Sequence, residues 1–501
     1  MVNPSSNQND ETHEPLNPEI GRLLSSSSSD EHLDQISYQP IDIETPYSTT
    51  LPPSFSWNKL WQYTGPGFLM SIAFLDPGNL EGDLQAGAVS GYSLLWLLLL
   101  STAMGLWIQV LSGRIGVVTG RHMAEICRDE YPFWVVLLLW VMAEVALIAA
   151  DIQEVIGSAI AIKILSNGGV PLWAGVLITA FDCFIFLFLE NYGVRKLEAV
   201  FAGFIAVMAL SFAWMFADAS PSGKELLLGL LIPKLGSKTV KKAVGILGGV
   251  ITPHNIFLYS AVVQSRNIDL KKKSQVQEAL YYYTIESSLA IFITFTINVF
   301  VTTIFAKGFY NTKEANTIGL LNAGYYLQER YGRDLFPVLY IWGIGLLAAG
   351  QSSTLTGTYA GQFIMDGFLD LQMRKWLRTL ITRSCAIVPT IIVAIYFNRS
   401  EDSLDVLNQW LNVLQGMQIP FALIPLLKLV SCERIMGTFR IKTTMKMISW
   451  FVAGMVIMVN GCVLMQFFIS EVKGLMTGFM FSFVNTAYVA FIWYLIMHLH
   501  T

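Results

Sequence analysis

The chain has 501 residues, of which 53% are hydrophobic and only 14% charged, and its net charge is −4. With a mean hydropathy of +0.52 it cannot dress a soluble globular surface, because soluble domains carry nearly twice that charge. The acidic excess lies in the first fifty residues, so no basic stripe for nucleic acid is present. The five cysteines are scattered and suggest neither a disulfide framework nor a thiolate zinc site.

Residues 1–55 are rich in Ser, Asn, Asp, Glu and Pro and lack an apolar signal segment, which predicts a disordered cytoplasmic tail. Within it Glu19-Ile20-Gly21-Arg22-Leu23-Leu24 resembles an acidic dileucine sorting signal, of the kind that coat adaptors read on the way to vacuoles or endosomes. A pattern this short also arises by chance. The serine run at 25–29 reads as a solvated spacer or a phosphorylation site.

From residue 56 onward the chain is a series of apolar stretches of spanning length, about 20 residues each. Twelve are predicted, near 60–89, 92–117, 133–165, 170–190, 194–217, 238–264, 276–307, 337–358, 379–397, 404–431, 445–468 and 474–498. The fold class is therefore an all-α polytopic membrane protein. Lys and Arg are more frequent in the loops at 114–128, 195–196, 266–273, 374–383 and 428–446 than in most loops on the other side. This places both termini in the cytoplasm and the Asn398 sequon on the opposite face.

The first span is interrupted by Asp76-Pro77-Gly78-Asn79. Pro77 removes a backbone donor and Gly78 weakens the helix, so the helix is expected to break there. Freed carbonyls and amides are tolerated at membrane depth only where protein or a polar cavity satisfies them. Asp76 and Asn79 then share one small volume with those carbonyls, which is how a cation site is built inside a membrane. The sixth span is interrupted by Gly248-Gly249-Val250-Ile251-Thr252-Pro253-His254. Spans one to five and six to ten match as two halves (60–217 and 238–431), with the last two spans (445–498) outside the repeat. An odd-numbered unit forces the second half to run inverted, so the two breaks meet at the midplane.

On the third span Glu144, Asp151 and Glu154 are spaced by seven and three, which puts them on one helix face. A stripe of intramembrane carboxylates is a proton relay or a structural ion pair, with Arg383 at the start of the ninth span as its partner. His254 is an imidazole, a group whose unperturbed pKa of about 6.5 lets it change charge at mildly acidic pH. Asp182, Glu190 and Glu286 read as structural or helix-end groups.

Asp76-Pro77-Gly78-Asn79-Leu80-Glu81-Gly82-Asp83-Leu84-Gln85-Ala86-Gly87-Ala88 resembles the first helix of the Nramp family of proton-coupled metal transporters. The run Gly350-Gln351-Ser352-Ser353-Thr354-Leu355-Thr356-Gly357-Thr358-Tyr359-Ala360-Gly361-Gln362 is similar to that family's cytoplasmic signature between the eighth and ninth spans. The resemblance runs from about Trp57 to the end and is closest to a land-plant, vacuolar branch. It implies a LeuT-type fold of 5+5 inverted spans. It also implies a secondary transporter that moves a divalent metal of the Mn²⁺/Fe²⁺ class with a proton toward the cytosol. By the same resemblance Asp76 and Asn79 match metal ligands, Ala73 the residue lending a carbonyl, and Asn412 a polar residue that completes the metal's shell. His254, the third-span carboxylates and Arg383 match its proton route.

Three positions depart from the family pattern. Gly249 and Thr252 stand where the family reads Ala and a metal-binding Met, and Tyr259 stands where many members carry a second histidine. Thioether sulfur favours transition metals and oxygen favours hard cations. Thr252 therefore either retunes the site toward Mg²⁺ or Al³⁺ or merely caps the broken helix while Mn²⁺ binds through Asp76 and Asn79. No nucleophile-base pair, zinc spacing or phosphate loop supports an enzyme, and no cofactor is expected. A passive channel and a signalling sensor are the remaining alternatives. The expected partners are the transported cation, the proton, the lipid bilayer and, through the tail, a coat adaptor.

Overall fold

A computed structural model describes residues 55–190, 194–236, 239, 243, 246, 249–266, 268–332, 338–370, 377, 380–381, 384, 387–392, 402–471 and 475–498. The sorting sequence from Glu19 to Leu24, Arg383 and the Asn398 sequon lie outside the described residues, as do the side chains of Asp182 and Glu190.

Among the described residues the elements are helical, with no strand. They are α1 (Trp57–Tyr63), α2 (Pro66–Ser71), α3 (Pro77–Ser90), α4 (Leu95–Thr119), α5 (Met123–Glu130), α6 (Phe133–Leu165), α7 (Leu172–Glu190) and α8 (Val194–Ala219). Then follow α9 (Gly223–Leu231), α10 (Pro253–Val262), α11 (Lys273–Phe309), α12 (Leu320–Tyr331), α13 (Val338–Leu369), α14 (Asp402–Ser431), α15 (Thr443–Glu471) and α16 (Leu475–His498). Seven helices among the described residues are long and apolar enough to cross a membrane by length and composition. The first span is absent from those seven because it is broken into pieces too short to cross alone, and of the sixth the described helix α10 has 10 residues. In the first, α2 has 6 residues and α3 has 14.

The eighth span, expected to end near 358, continues as α13 to Leu369, so the whole run 350–362, which the resemblance sets between the eighth and ninth spans, is largely buried helix interior. Its Gly, Ser and Thr side chains are too small to hold helices apart, so α13 lies closely along α6. The polarity of the run here accompanies close helix contact, and part of it is satisfied within the helix: Ser352 Oγ donates to the Ala348 carbonyl at 2.7 Å, and Thr358 Oγ1 to that of Thr354 at 2.8 Å.

The short helices are connectors. In α5 the His122 N–H donates to Glu125 Oε2 at 3.1 Å, and Met123 N–H donates to Ser260 Oγ on α10 at 2.9 Å. Burial, and after it the charges of Arg128 and Arg121, lowers the His122 pKa to about 3, so this ring is a neutral packing group.

The core of the bundle is α6, with α13 and α14 against it and α11 against α3 and α4. At its centre Gly157 of α6 lies directly under Pro77, the residue that breaks the first span, and a Cβ at 157 would collide with the proline ring. Gly157→Val is therefore expected to destabilise the protein by about 1–3 kcal/mol through overpacking. The drop in midpoint on thermal unfolding in detergent checks this, and an unchanged midpoint would show that α6 has room at Pro77.

Candidate metal centre

The first span tightens into a 3-10 turn at Ile72–Phe74, leaves helical geometry at Leu75, and passes through extended backbone at Asp76 (φ −63°, ψ 160°) into α3. Asp76 is the N-cap of α3, with its Oδ1 accepting the Asn79 backbone N–H at 2.6 Å. Asn79 folds back so that its Nδ2 donates to the Ala73 carbonyl at 3.3 Å. Its Oδ1 is thereby turned outward.

That oxygen faces the second break. Gly249 lies so close to it that a Cβ there would collide with Asn79 Oδ1. Three residues on, Thr252 is extended (φ −92°, ψ 120°) as the N-cap of α10, with Pro253 in the first turn. Its Oγ1 accepts from Asn255 Nδ2 at 2.5 Å. His254 is 3% exposed, and its Nδ1 has no hydrogen-bond partner among the described residues. Tyr259, where a second histidine would stand in the family, is buried with its hydroxyl 2.6 Å from Ser287 Oγ.

These contacts set the Asn79 amide oxygen of the first break against Gly249 of the second. The carbonyl-rich end of α2 carries partial negative charge that suits a cation, whereas the N-terminus of α3 carries partial positive charge that repels one. The Asp76 carboxylate sits on that N-terminus and offsets it. A carboxylate has about four lone-pair sites, so the cap bond to Asn79 leaves it acceptor capacity. Among the described residues no three His, Cys, Asp or Glu side chains gather into a metal cage. A set of one carboxylate, one amide oxygen and backbone carbonyls can hold a cation without trapping it, as conduction through a membrane requires.

A polar frame surrounds the centre, and its hub, Gln153, carries no motif of its own in the sequence. Gln153 of α6 lies against the break, where a Cβ on Gly78 would come within 2.7 Å of its Oε1. Its Nε2 donates to the Asn408 carbonyl at 3.2 Å and to Asn412 Oδ1 at 2.8 Å, and its Oε1 accepts from Gln415 Nε2 at 2.6 Å. Asn412 thus reaches the centre's wall through Gln153. Asn408 Nδ2 also donates to Glu81 Oε2, and Gln85 Nε2 to Glu81 Oε1 at 2.9 Å, tying α3 to α14. The available signal was an amide lying between two carboxylates, Asp151 and Glu154, in an otherwise apolar span.

The third-span carboxylates separate into two environments. Asp151 and Glu154 are 2% and 3% exposed and face α13, where a Cβ on Gly357 would stand 2.8 Å from Asp151 Oδ1 and 3.4 Å from Glu154 Oε2. The small-residue run of α13 therefore makes room for both. Glu144 is only half-buried, with its Oε1 accepting from Trp140 Nε1 one turn away at 3.1 Å.

Comparison with known proteins agrees with this architecture. The family model described as natural resistance-associated macrophage protein-like matches residues 67–466. A protein of Populus trichocarpa named metal transporter Nramp2 is 65% identical over 513 residues, covering 99% of this chain and 96% of that one. The crystal structure of the Eremococcus coleocola manganese transporter, in complex with an aromatic bis-isothiourea substituted compound, superposes with a TM-score of 0.80. It is 27% identical, with 94% of this chain and 99% of that chain covered. Mhp1, a nucleobase-cation-symport-1 family transporter, shares the LeuT-type fold alone, with a TM-score of 0.53 at 14% identity over 77% of this chain and 82% of that one. With the breaks paired as they are and the family model matching most of the length, this multi-pass membrane chain belongs to the Nramp family.

Proposed function

We propose that the protein is a secondary transporter that carries divalent metal ions of the Mn²⁺/Fe²⁺ class toward the cytosol in symport with protons. The observation that carries this reading is the pairing of Asp76 and Asn79 with Gly249 across two helix breaks. The names of the plant relatives and of the manganese transporter support the substrate class. Asp76, Asn79 Oδ1 and the Ala73 carbonyl are the proposed ligands. Gly249 and Thr252 complete the wall from the second break, and Asn412 approaches through Gln153. The Thr252 hydroxyl accepts from the Asn255 side chain and caps no backbone amide of α10, and no observation favours Mg²⁺ or Al³⁺ over Mn²⁺.

For the proton we propose a route through His254, Asp151 and Glu154, with Glu144 and Arg383 as its further members. Buried carboxylates beside a path of this kind are costly unless they serve it. The repeat boundaries at 60–217 and 238–431 and the tail at 1–55 belong to the same reading. Glu19, Leu23 and Leu24 would direct the protein to the vacuole or another endomembrane through a coat adaptor.

Asp76→Ala is expected to abolish metal uptake into proteoliposomes. Loss of an outer-shell partner alone costs about 10–100-fold in metal affinity, and loss of the charged ligand should exceed that. Near-normal uptake by folded Asp76→Ala protein would remove this site.

Glu154→Gln is expected to flatten the pH dependence of uptake while Mn²⁺ affinity by calorimetry stays within about twofold, a few tenths of a kcal/mol. Equal loss of affinity and pH response would assign Glu154 to a structural ion pair.

Thr252→Met, alone and with Gly249→Ala, is expected to shift the ratio of Cd²⁺ to Mg²⁺ affinity about tenfold toward Cd²⁺, equivalent to about 1.4 kcal/mol. Gly249→Ala alone must turn Asn79 Oδ1 away, so it isolates the contribution of that amide. A competition assay in which neither change alters the ranking would show that residue 252 does not face the ion.

A further inference from the structure

Glu286 of α11 is 1% exposed and has no part in the metal centre. Its Oε1 accepts the backbone N–H groups of Gly65 at 2.5 Å, Gly67 at 3.0 Å and Phe68 at 3.4 Å. Pro66, between them, has no N–H to offer. A helix start leaves its first amides without partners, and a side chain of the same segment usually caps them. At α2 no such cap exists, and a carboxylate from another span fills the position instead.

The preceding segment docks on the same end of α11. Ser56 N–H donates to Tyr282 Oη at 2.9 Å, and the Tyr63 ring stacks on Tyr282 with centroids 5.5 Å apart. Lys59 pairs with Glu278 at 2.8 Å, and Arg266 donates to the Thr64 carbonyl at 2.8 Å. An exposed pair such as Lys59–Glu278 holds weakly. The buried carboxylate with three charge-assisted bonds is the strong tie in this group.

Its placement gives it leverage. The α2 helix is a single short piece of 6 residues, held at its start by this tie and joined at its other end to the turn that lends Ala73 and Asp76 to the metal centre. We propose that Glu286 is a positioning residue that latches α2 over the metal site. Release of Gly65, Gly67 and Phe68 from its carboxylate lets α2 swing away and opens the site on the side of the membrane where α1 lies. The opening step rests on the proposed transport function; the latch itself does not.

Hydrogen–deuterium exchange of the full chain in detergent tests the latch. In Glu286→Ala, exchange in peptides covering 60–72 is expected to accelerate about tenfold or more, while α6 and α13 keep their protection. Glu286→Gln, whose amide oxygen still accepts, should lie between that variant and the wild type. Gly67→Ala, which puts a Cβ 3.0 Å from Glu286 Cδ, should loosen the same peptides with the carboxylate intact. In proteoliposomes Glu286→Ala should also lower the half-saturating Mn²⁺ concentration on the α1 side and raise it on the other, because it shifts the population toward one opening. A merely structural lesion would not move the two sides in opposite directions. Wild-type exchange in 60–72, or acceleration spread equally over α6 and α13, overturns the latch. If Glu286→Ala fails to fold, Glu286→Gln and Gly67→Ala decide the question by the same exchange readout. Exchange needs no transport, so its outcome is separate from that of Asp76→Ala.

Discussion

No water in the hydrocarbon core can bond the amides and carbonyls that a broken helix sets free, so each needs a partner from the protein. The first span meets this requirement at several points with partners from its own break and from α11. Glu286 takes the amides of Gly65, Gly67 and Phe68, and Thr294 Oγ1 donates to the Ser71 carbonyl at 3.2 Å. Asn79 Nδ2 donates to the carbonyl of Ala73, Asn298 Nδ2 to that of Phe74 at 3.0 Å, and Asp76 accepts from the Asn79 amide. Thr294 and Asn298 of α11 thus hold the break open while Glu286 fixes the start of α2, and the candidate centre depends on backbone that is satisfied there without becoming helix.

The second constraint is space. Pro77 needs a glycine, Gly157, beneath it, and the Asn79 amide needs Gly249 opposite. Asp151 and Glu154 need the small-residue run of α13. Small side chains let helices approach without a hydrophobic drive between them. Here they also admit polar groups that larger residues would exclude. The chemistry of the centre therefore depends on positions that carry no chemistry of their own.

Polar residues at depth form connected sets rather than isolated pairs. Gln153 joins α6 to α14 through Asn408, Asn412 and Gln415, and Asn408 joins α14 to α3 through Glu81. A network of this kind is costly if partly satisfied and rigidifying if complete. It gives α14 a direct hold on the α3 side of the break, while α11 holds the α2 side.

The linear order of residues determined the membrane class, the spans and the two breaks, because hydropathy, proline and glycine act locally and need no knowledge of neighbours. It also singled out the candidate central residues, since a carboxylate and an amide beside a broken helix are conspicuous in an apolar run. Tertiary structure alone decided how those residues are used. The turn of Asn79 toward Gly249, the capture of the Thr252 hydroxyl by Asn255 and the hub at Gln153 all depend on side chains distant in sequence or on a rotamer that local pattern does not specify. The eighth span reads as ending near 358 in one dimension, and the structure carries its helix on to Leu369 with the run at 350–362 packed against α6. Glu286 reads as a helix-end group and does serve a helix end, but one more than two hundred positions away, a pairing that only the folded bundle brings within hydrogen-bond distance.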